Sequence, residues 1–152
     1  MAEKQYVIFK LDNESYGVDI MNVKEIIEYK ETVKVPNALN FIEGIINLRG
    51  EIVPIVNLKK RLKTGNTMVT NDTRVIVINI QDRQVGFMVD EASQVIRISE
   101  ENIEPAPELI AGIDKRYIMG VGKLEDKIVI LLDLEFILTE DEKAKIGEIR
   151  SE

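Results

Sequence analysis

The sequence predicts a mostly β fold assembled from two similar halves, and three observations predict it. The block Phe41-Ile-Glu-Gly-Ile-Ile-Asn-Leu-Arg-Gly-Glu-Ile-Val-Pro-Ile-Val-Asn-Leu58 returns, altered, as Tyr117-Ile-Met-Gly-Val-Gly-Lys-Leu-Glu-Asp-Lys-Ile-Val-Ile-Leu-Leu-Asp-Leu134 at a constant shift of 76 (117 − 41). A second shift, of 69, lays residues 74–87 over the N-terminal segment and pairs Val7 with Ile76, Leu11 with Ile80 and Gly17 with Gly86. Self-similarity of this kind marks a duplicated structural unit. Third, short β-branched runs separated by turn residues dominate the chain, too closely spaced for helical crossovers, so strand pairing is expected to be mostly antiparallel. Small antiparallel sheets with exposed edges tend to close on themselves. Two small β-barrels, related by a pseudo-twofold axis and packed on a shared apolar layer, are therefore expected.

In chain order, Tyr6-Val-Ile-Phe-Lys-Leu11 reads as a strand, Asp12-Asn-Glu14 as a turn and Ser15-Tyr-Gly-Val18 as the start of a second strand. Residues 18–27 hold apolar side chains at 20, 23, 26 and 27, a helical spacing, while residues 25–29 also alternate as a strand would. Gly44-Ile-Ile46 and Ile52-Val-Pro-Ile-Val56 are strand-like runs flanking Asn47-Leu-Arg-Gly-Glu51, where Gly50 suits a tight hairpin turn. Asn57 and Asp133, equivalent under the shift of 76, are good N-caps for brief helical turns over 58–62 and 134–138. Residues 63–73 are polar and turn-rich, a connector between halves that cover about 5–62 and 74–138. The two shifts differ by 7 (76 − 69), and the extra length falls in the proline-bearing polar loop Ser99–Glu108. Thr139-Glu-Asp-Glu142 has capping-box spacing and predicts a C-terminal helix over 139–150. All 152 residues are expected to form one domain, with one sizeable core or two small cores sharing an interface. Whether a terminal strand completes its own barrel or crosses into the other is open at this level.

Composition excludes several functions. Lys and Arg number 20 against 27 Asp and Glu, a net charge of −7. A chain without a cationic surplus is not expected to bind nucleic acid or anionic lipid generally. Aromatic residues make up 5%, too few to suggest a base-stacking groove. Lys59-Lys-Arg61 is a local basic cluster, expected to be the solvated face of a short helix. Without cysteine there is no disulfide, thiolate nucleophile or thiolate-bound metal. Without histidine, Ser-His-Asp and Cys-His hydrolases and histidine zinc motifs are excluded.

Carboxylate catalysis and magnesium or calcium binding remain chemically open. Yet Glu25, Glu28, Glu43, Glu51, Asp90, Glu91, Glu125, Asp126 and Asp133 show no spacing that singles out a facing pair, and no phosphate-cradling glycine motif follows a strand. No catalytic residue, cofactor or metal is expected. The N-terminus lacks an uninterrupted apolar h-region and no apolar run approaches a membrane span, so a cytoplasmic location without membrane insertion is expected.

The two copies agree at apolar and glycine positions but differ at one turn, where Arg49-Gly50 is replaced by Glu125-Asp126. Arg49 reads either as a turn residue paired with a nearby carboxylate or as a planar, multi-donor anchor at a protein contact. The apolar stripe in 18–27 reads as core or, where exposed, as a groove for a helix or strand.

Tyr16-Gly-Val-Asp-Ile20, Val23-Lys-Glu-Ile26, Val35-Pro-Asn-Ala38, Phe41-Ile-Glu-Gly-Ile-Ile-Asn-Leu-Arg-Gly50, Ile52-Val-Pro-Ile-Val-Asn-Leu58, Val85-Gly-Phe-Met-Val-Asp90 and Pro105-Ala-Pro-Glu108 closely resemble the CheW family, the coupling proteins of bacterial chemotaxis. The resemblance runs from about residue 5 to residue 140, and its NLRG-x-IVPI block is highly specific. It implies two SH3-like five-stranded barrels around a common core. It also implies a scaffold without catalysis, joining the cytoplasmic tips of chemoreceptors to the regulatory domain of the histidine kinase CheA. Carried over position by position, the arginine of the NLRG motif is Arg49 and the glutamate of the VxEI motif is Glu25. In the family these lie close and influence both partners. The receptor tip, a helical hairpin, is implied to bind an apolar groove at Val7, Ile20, Val23, Ile26, Gly86, Ala92 and Val95, with Arg49. The kinase is implied to contact Glu25, Gly44, Arg49 and Ile52. Arg74 departs from the apolar residue found in a relative.

Overall fold

The computed structural model describes residues 2–106 and 115–149. Eleven strands and two α-helices are present among them: β1 (Glu3–Leu11), β2 (Glu14–Asp19), β3 (Glu25–Glu28), β4 (Ile42–Leu48), β5 (Glu51–Asn57), α1 (Leu58–Arg61), β6 (Arg74–Ile80), β7 (Arg83–Val89), β8 (Glu91–Ser99), β9 (Ile103–Glu104), β10 (Ile118–Leu124), β11 (Lys127–Leu132) and α2 (Glu140–Ile149). The strands form two sheets, ordered β8-β1-β2-β11-β10-β9 and β3-β6-β7-β5-β4. Pairing is antiparallel except at β2–β11 and β5–β7.

Each sheet is composite. The hairpin β1–β2, from the start of the chain, lies between β8 and β11, while β6–β7 lies between β3 and β5. The N-terminal hairpin therefore crosses into the sheet built from the second half, which answers the question the repeat left open. Under the two sequence shifts β1 corresponds to β6, β2 to β7, β3 to β8, β4 to β10 and β5 to β11. With each strand replaced by its counterpart, both sheets run in the same order, apart from the added edge strand β9.

The central strands are apolar almost without interruption because both their faces are covered. On β6, Ile76, Ile78 and Ile80 join the main core, while Val75 and Val77 join a smaller cluster with Ile46, Leu48, Val53, Ile55 and Met88. On β1, Val7, Phe9 and Leu11 join the main core, while Tyr6 and Ile8 join Ile98, Val129 and Leu131. Each sheet thus holds a private cluster on one face and shares the main core on the other.

The region of mixed periodicity resolves into a short 3-10 turn at Ile20–Asn22, capped by Asp19, and the strand β3. Asn57 caps α1 through a bond from the Lys60 N–H. Asp133 accepts from the N–H groups of Glu135 and Phe136 at 3.0 and 3.3 Å, but the following segment is a turn and not a helix. At α2 the capping box forms in both directions, Thr139 N to Glu142 Oε1 at 2.9 Å and Glu142 N to Thr139 Oγ1 at 3.1 Å. The loop Ser99–Glu108 contains a 3-10 turn and β9, and its Pro107 and Glu108 lie outside the described residues.

Candidate functional site

The β4–β5 hairpin presents Arg49. Its turn residues Arg49 and Gly50 both have positive φ, 51° and 89°, as a type I′ hairpin turn demands. Asn47 supports this backbone by accepting the Gly50 N–H on its side-chain oxygen at 2.8 Å. Arg49 therefore projects from a tight turn, and its Nη2 donates to Glu25 Oε2. The pair links β3 to the tip of β4–β5, the two outer elements of one sheet. Arg49 stays well exposed and Glu25 partly so, which leaves both accessible.

Glu25 also starts a cross-strand row. It stands opposite Val77, Val77 opposite Gly86, Gly86 opposite Ile55, and Ile55 opposite Gly44. Three residues singled out from the sequence thus share one line across the sheet, but the two glycines in it are buried. A Cβ on Gly86 would come within 2.5 Å of Val75 Cγ1, and one on Gly44, at φ +151°, within 2.5 Å of the Val33 carbonyl oxygen. Both positions need glycine for close packing.

In the other sheet Val7 lies opposite Val95, and Phe9 opposite Ala92. Val7 is buried in the main core, whereas Val95 is exposed and Ala92 half-buried. Ile20 and Val23 occupy the link by which the chain passes from β2 in one sheet to β3 in the other, both partly buried against the main core. Ile26 and Ile52 point to solvent. Exposed apolar side chains the sequence reading passed over include Met21, 85% exposed between Ile20 and Val23, and Ile128, the counterpart of Ile52 under the shift of 76. Met21 lies in the 3-10 turn Ile20–Asn22, in which Ile20 and the following Val23 take the core-facing places. Arg74 donates to the carbonyls of Asn71 and Thr73 at the start of β6.

The basic cluster Lys59-Lys-Arg61 is not the solvated helix face expected. Lys59 is buried, and its Nζ lies 2.6 Å from Asp12 Oδ1 and 3.5 Å from Asp90 Oδ2. Asp90 further accepts the Asp12 N–H at 2.6 Å and the Thr67 hydroxyl at 2.7 Å. Desolvation pulls the Lys59 pKa down, but the neighbouring Asp12 and Asp90 outweigh it and hold the ammonium above its ordinary range. Arg61, half-buried, is turned inward over two aromatic rings, while Lys60 stays exposed, so α1 carries one buried cation with its partners. Among the described residues, no group of three or more Asp or Glu is placed to hold a metal ion, and no helix is long and apolar enough to cross a membrane.

This arrangement of two composite sheets matches that of a known scaffolding protein. The fold superimposes on the crystal structure of the scaffolding protein TtCheW from Thermoanaerobacter tengcongensis with a TM-score of 0.83 and 38% identity, over 93% of this chain and 92% of that one. The CheW-like domain family matches residues 5–142, and the chain belongs to that family. It is 38% identical over 146 residues to the chemotaxis protein CheW of Klebsiella aerogenes, covering 96% of this chain and 88% of the relative. It is 36% identical over 149 residues to that of Treponema pallidum, covering 95% and 88%.

Proposed function

We propose that this chain is a non-catalytic adaptor coupling the cytoplasmic tips of chemoreceptors to the regulatory domain of the histidine kinase CheA. The observation that carries this reading is the accessible Arg49–Glu25 pair, Arg49 on a hairpin tip and Glu25 at the start of β3, two elements that also expose Ile52 and Ile26. A planar donor fixed by a carboxylate, on elements that also expose apolar side chains, is suited to a protein contact. Membership of a chemotaxis family along nearly the whole chain supports the choice of partners. The chain is read as a single domain over 1–152, with halves 5–62 and 74–138, a connector 63–73 and a helix over 139–150. The shared strand order and the private clusters support two SH3-like five-stranded barrels related by a pseudo-twofold axis.

In this reading the receptor hairpin lays its apolar face along Ile20, Val23, Ile26, Ala92 and Val95, a standard mode of helix recognition. Val7 and Gly86 shape the floor beneath. The kinase meets Ile52 at the end of the β4–β5 hairpin, whose shape Gly44 sets. Arg49 and Glu25 contribute to both contacts. The adaptor works in the cytoplasm, held to membrane-bound receptor arrays by protein contacts, with no cofactor and no nucleic acid. The test is co-sedimentation of the purified chain with a receptor signalling tip and CheA from one organism. A ternary complex with altered kinase activity is the expected result; binding to neither partner removes the reading.

A further inference from the structure

The C-terminal helix α2 is held down mainly by polar ties. Ile146 is its one fully buried apolar side chain, and Lys143 is the other buried residue. Arg61 Nε donates to Glu142 Oε1 at 3.2 Å, Arg83 Nη1 donates to the Gly147 carbonyl at 2.6 Å, and Lys143 Nζ lies 3.8 Å from Glu135. Cavities open on both sides of the helix. One of about 330 Å³ lies toward Ile80, Arg83, Val85 and Leu138. Another of about 600 Å³ lies toward Val35, Pro36, Leu39 and Ile45. Gly147 adds a second weakness, since glycine is among the poorest helix formers. A Cβ at this position would stand 2.7 Å from Arg83 Nη1, the end of a long side chain that can give way.

Arg61 connects this helix to the centre of the molecule. Its guanidinium lies 5.6 Å from the Phe41 ring centroid and 5.9 Å from that of Tyr117. Those two rings are counterparts under the shift of 76. Their carbonyls accept equivalent backbone bonds, from Asn57 N at 2.8 Å and from Asp133 N at 2.9 Å. One side chain thus touches the same point of both halves and reaches α2 from there.

We propose that α2 is an ionic latch, a detachable strap that Arg61 holds to the junction of the two halves and that opens before the rest of the fold. Salt weakens these ties in part, through the more open partner of each ion pair (Glu142 22% and Glu135 50% exposed), while apolar burial in the sheets does not weaken. Elements with few buried apolar contacts occupy the low end of the local-stability range. Opening uncovers Ile80, Val85 and Leu138, so the latch controls access to an apolar face. The inference goes beyond the adaptor reading and does not depend on it.

Amide hydrogen exchange on the full chain, at about 0.01 M and about 1 M salt, tests it, since the screening length falls from about 30 Å to about 3 Å between them. Residues 140–149 are expected to exchange faster in high salt, by about two- to threefold, while β6 and β7 hold their rates. Glu142→Gln keeps the capping box, which accepts either residue, and removes only the charge. It should speed α2 exchange in low salt and abolish most of the further effect of salt. The proposal is overturned if α2 exchange is insensitive to salt, or if it rises only in step with the sheets.

Discussion

Arg49 and Glu25 are joined across one sheet, the arginine from the β4–β5 turn and the glutamate from the first residue of β3. The arginine side chain remains 66% exposed. A pair so open to water contributes no more than about 1 kcal/mol to folding, so its value lies in presenting the guanidinium in one orientation. Arg49→Ala should leave the melting temperature within about 2 °C of wild type. Affinity for both the receptor tip and the kinase should fall at least about tenfold, roughly 1.4 kcal/mol. Glu25→Gln should weaken binding less, and the two changes together should cost less than their sum. Titration calorimetry with each partner checks this, and wild-type affinities in Arg49→Ala refute it.

Gly44 lies within β4 and Gly50 in the β4–β5 turn, and they should respond differently to alanine. At Gly44 a Cβ would meet the Val33 carbonyl at 2.5 Å and the Thr32 side chain at 2.8 Å. Backbone cannot step aside easily, so Gly44→Ala should destabilise the fold by about 3 kcal/mol. At Gly50 nothing lies within 4 Å, and only the positive φ opposes a side chain. That change should cost about 1 kcal/mol. Urea unfolding measures both. Similar losses at the two sites would show that φ, and not contact, sets the penalty.

Lys59 fastens the β1–β2 turn, α1 and the entrance to β8 through Asp12 and Asp90. Lys59→Met should destabilise by about 2 kcal/mol, less than the 3–5 kcal/mol typical of breaking a wholly buried pair, because Asp12 is 60% exposed and can be rehydrated. The Lys59 pKa is raised in the fold above its ordinary 10.5. Its contribution is therefore complete below that pH and is lost as pH climbs through the higher folded value. Burial, with Asp19 and Glu100 nearby, raises Tyr6; burial, with Glu14 and Asp12, raises Tyr16. Both add a loss of the same sign beginning near their ordinary 10.0. Wild type should lose stability above that pH more steeply than Lys59→Met. Parallel curves for the two proteins would remove the role assigned to Lys59.

Much of this was legible in the residues, and the parts that were not have physical reasons. Equal shifts revealed which strands correspond because packing preserves apolar and glycine positions. They were blind to β1–β2 crossing between the sheets, because a swapped and an unswapped strand bury the same faces. The Glu25–Arg49 contact was implied by the family resemblance; no spacing rule brings together residues 24 positions apart. Lys59 was misread as solvated because its partners Asp12 and Asp90 are distant in sequence. Val7 and Gly86 look no different from exposed groove residues in a string of letters, and only the ladder shows one in the core and the other under a neighbouring strand.

Exposure offers a way to separate the two proposed contacts. Ile52 is 42% exposed on β5 opposite Asn47, whereas Val95 is 49% exposed on β8 opposite Val7. They belong to different sheets, so a charge at one should not be felt at the other in physiological salt unless they lie within roughly 8 Å. Burying a new lysine at a contact without a partner is costly, and an exposed lysine in the free protein is not. Ile52→Lys is therefore expected to reduce kinase affinity at least about tenfold with receptor affinity nearly unchanged. Val95→Lys is expected to do the reverse. Both variants should unfold within about 2 °C of wild type, since neither side chain is in the core. Parallel binding titrations against the receptor tip and the kinase distinguish the outcomes. If either substitution weakens both partners equally, the contacts overlap and the separate assignment of Ile52 to the kinase and Val95 to the receptor fails; if neither weakens anything, these apolar positions are ordinary surface.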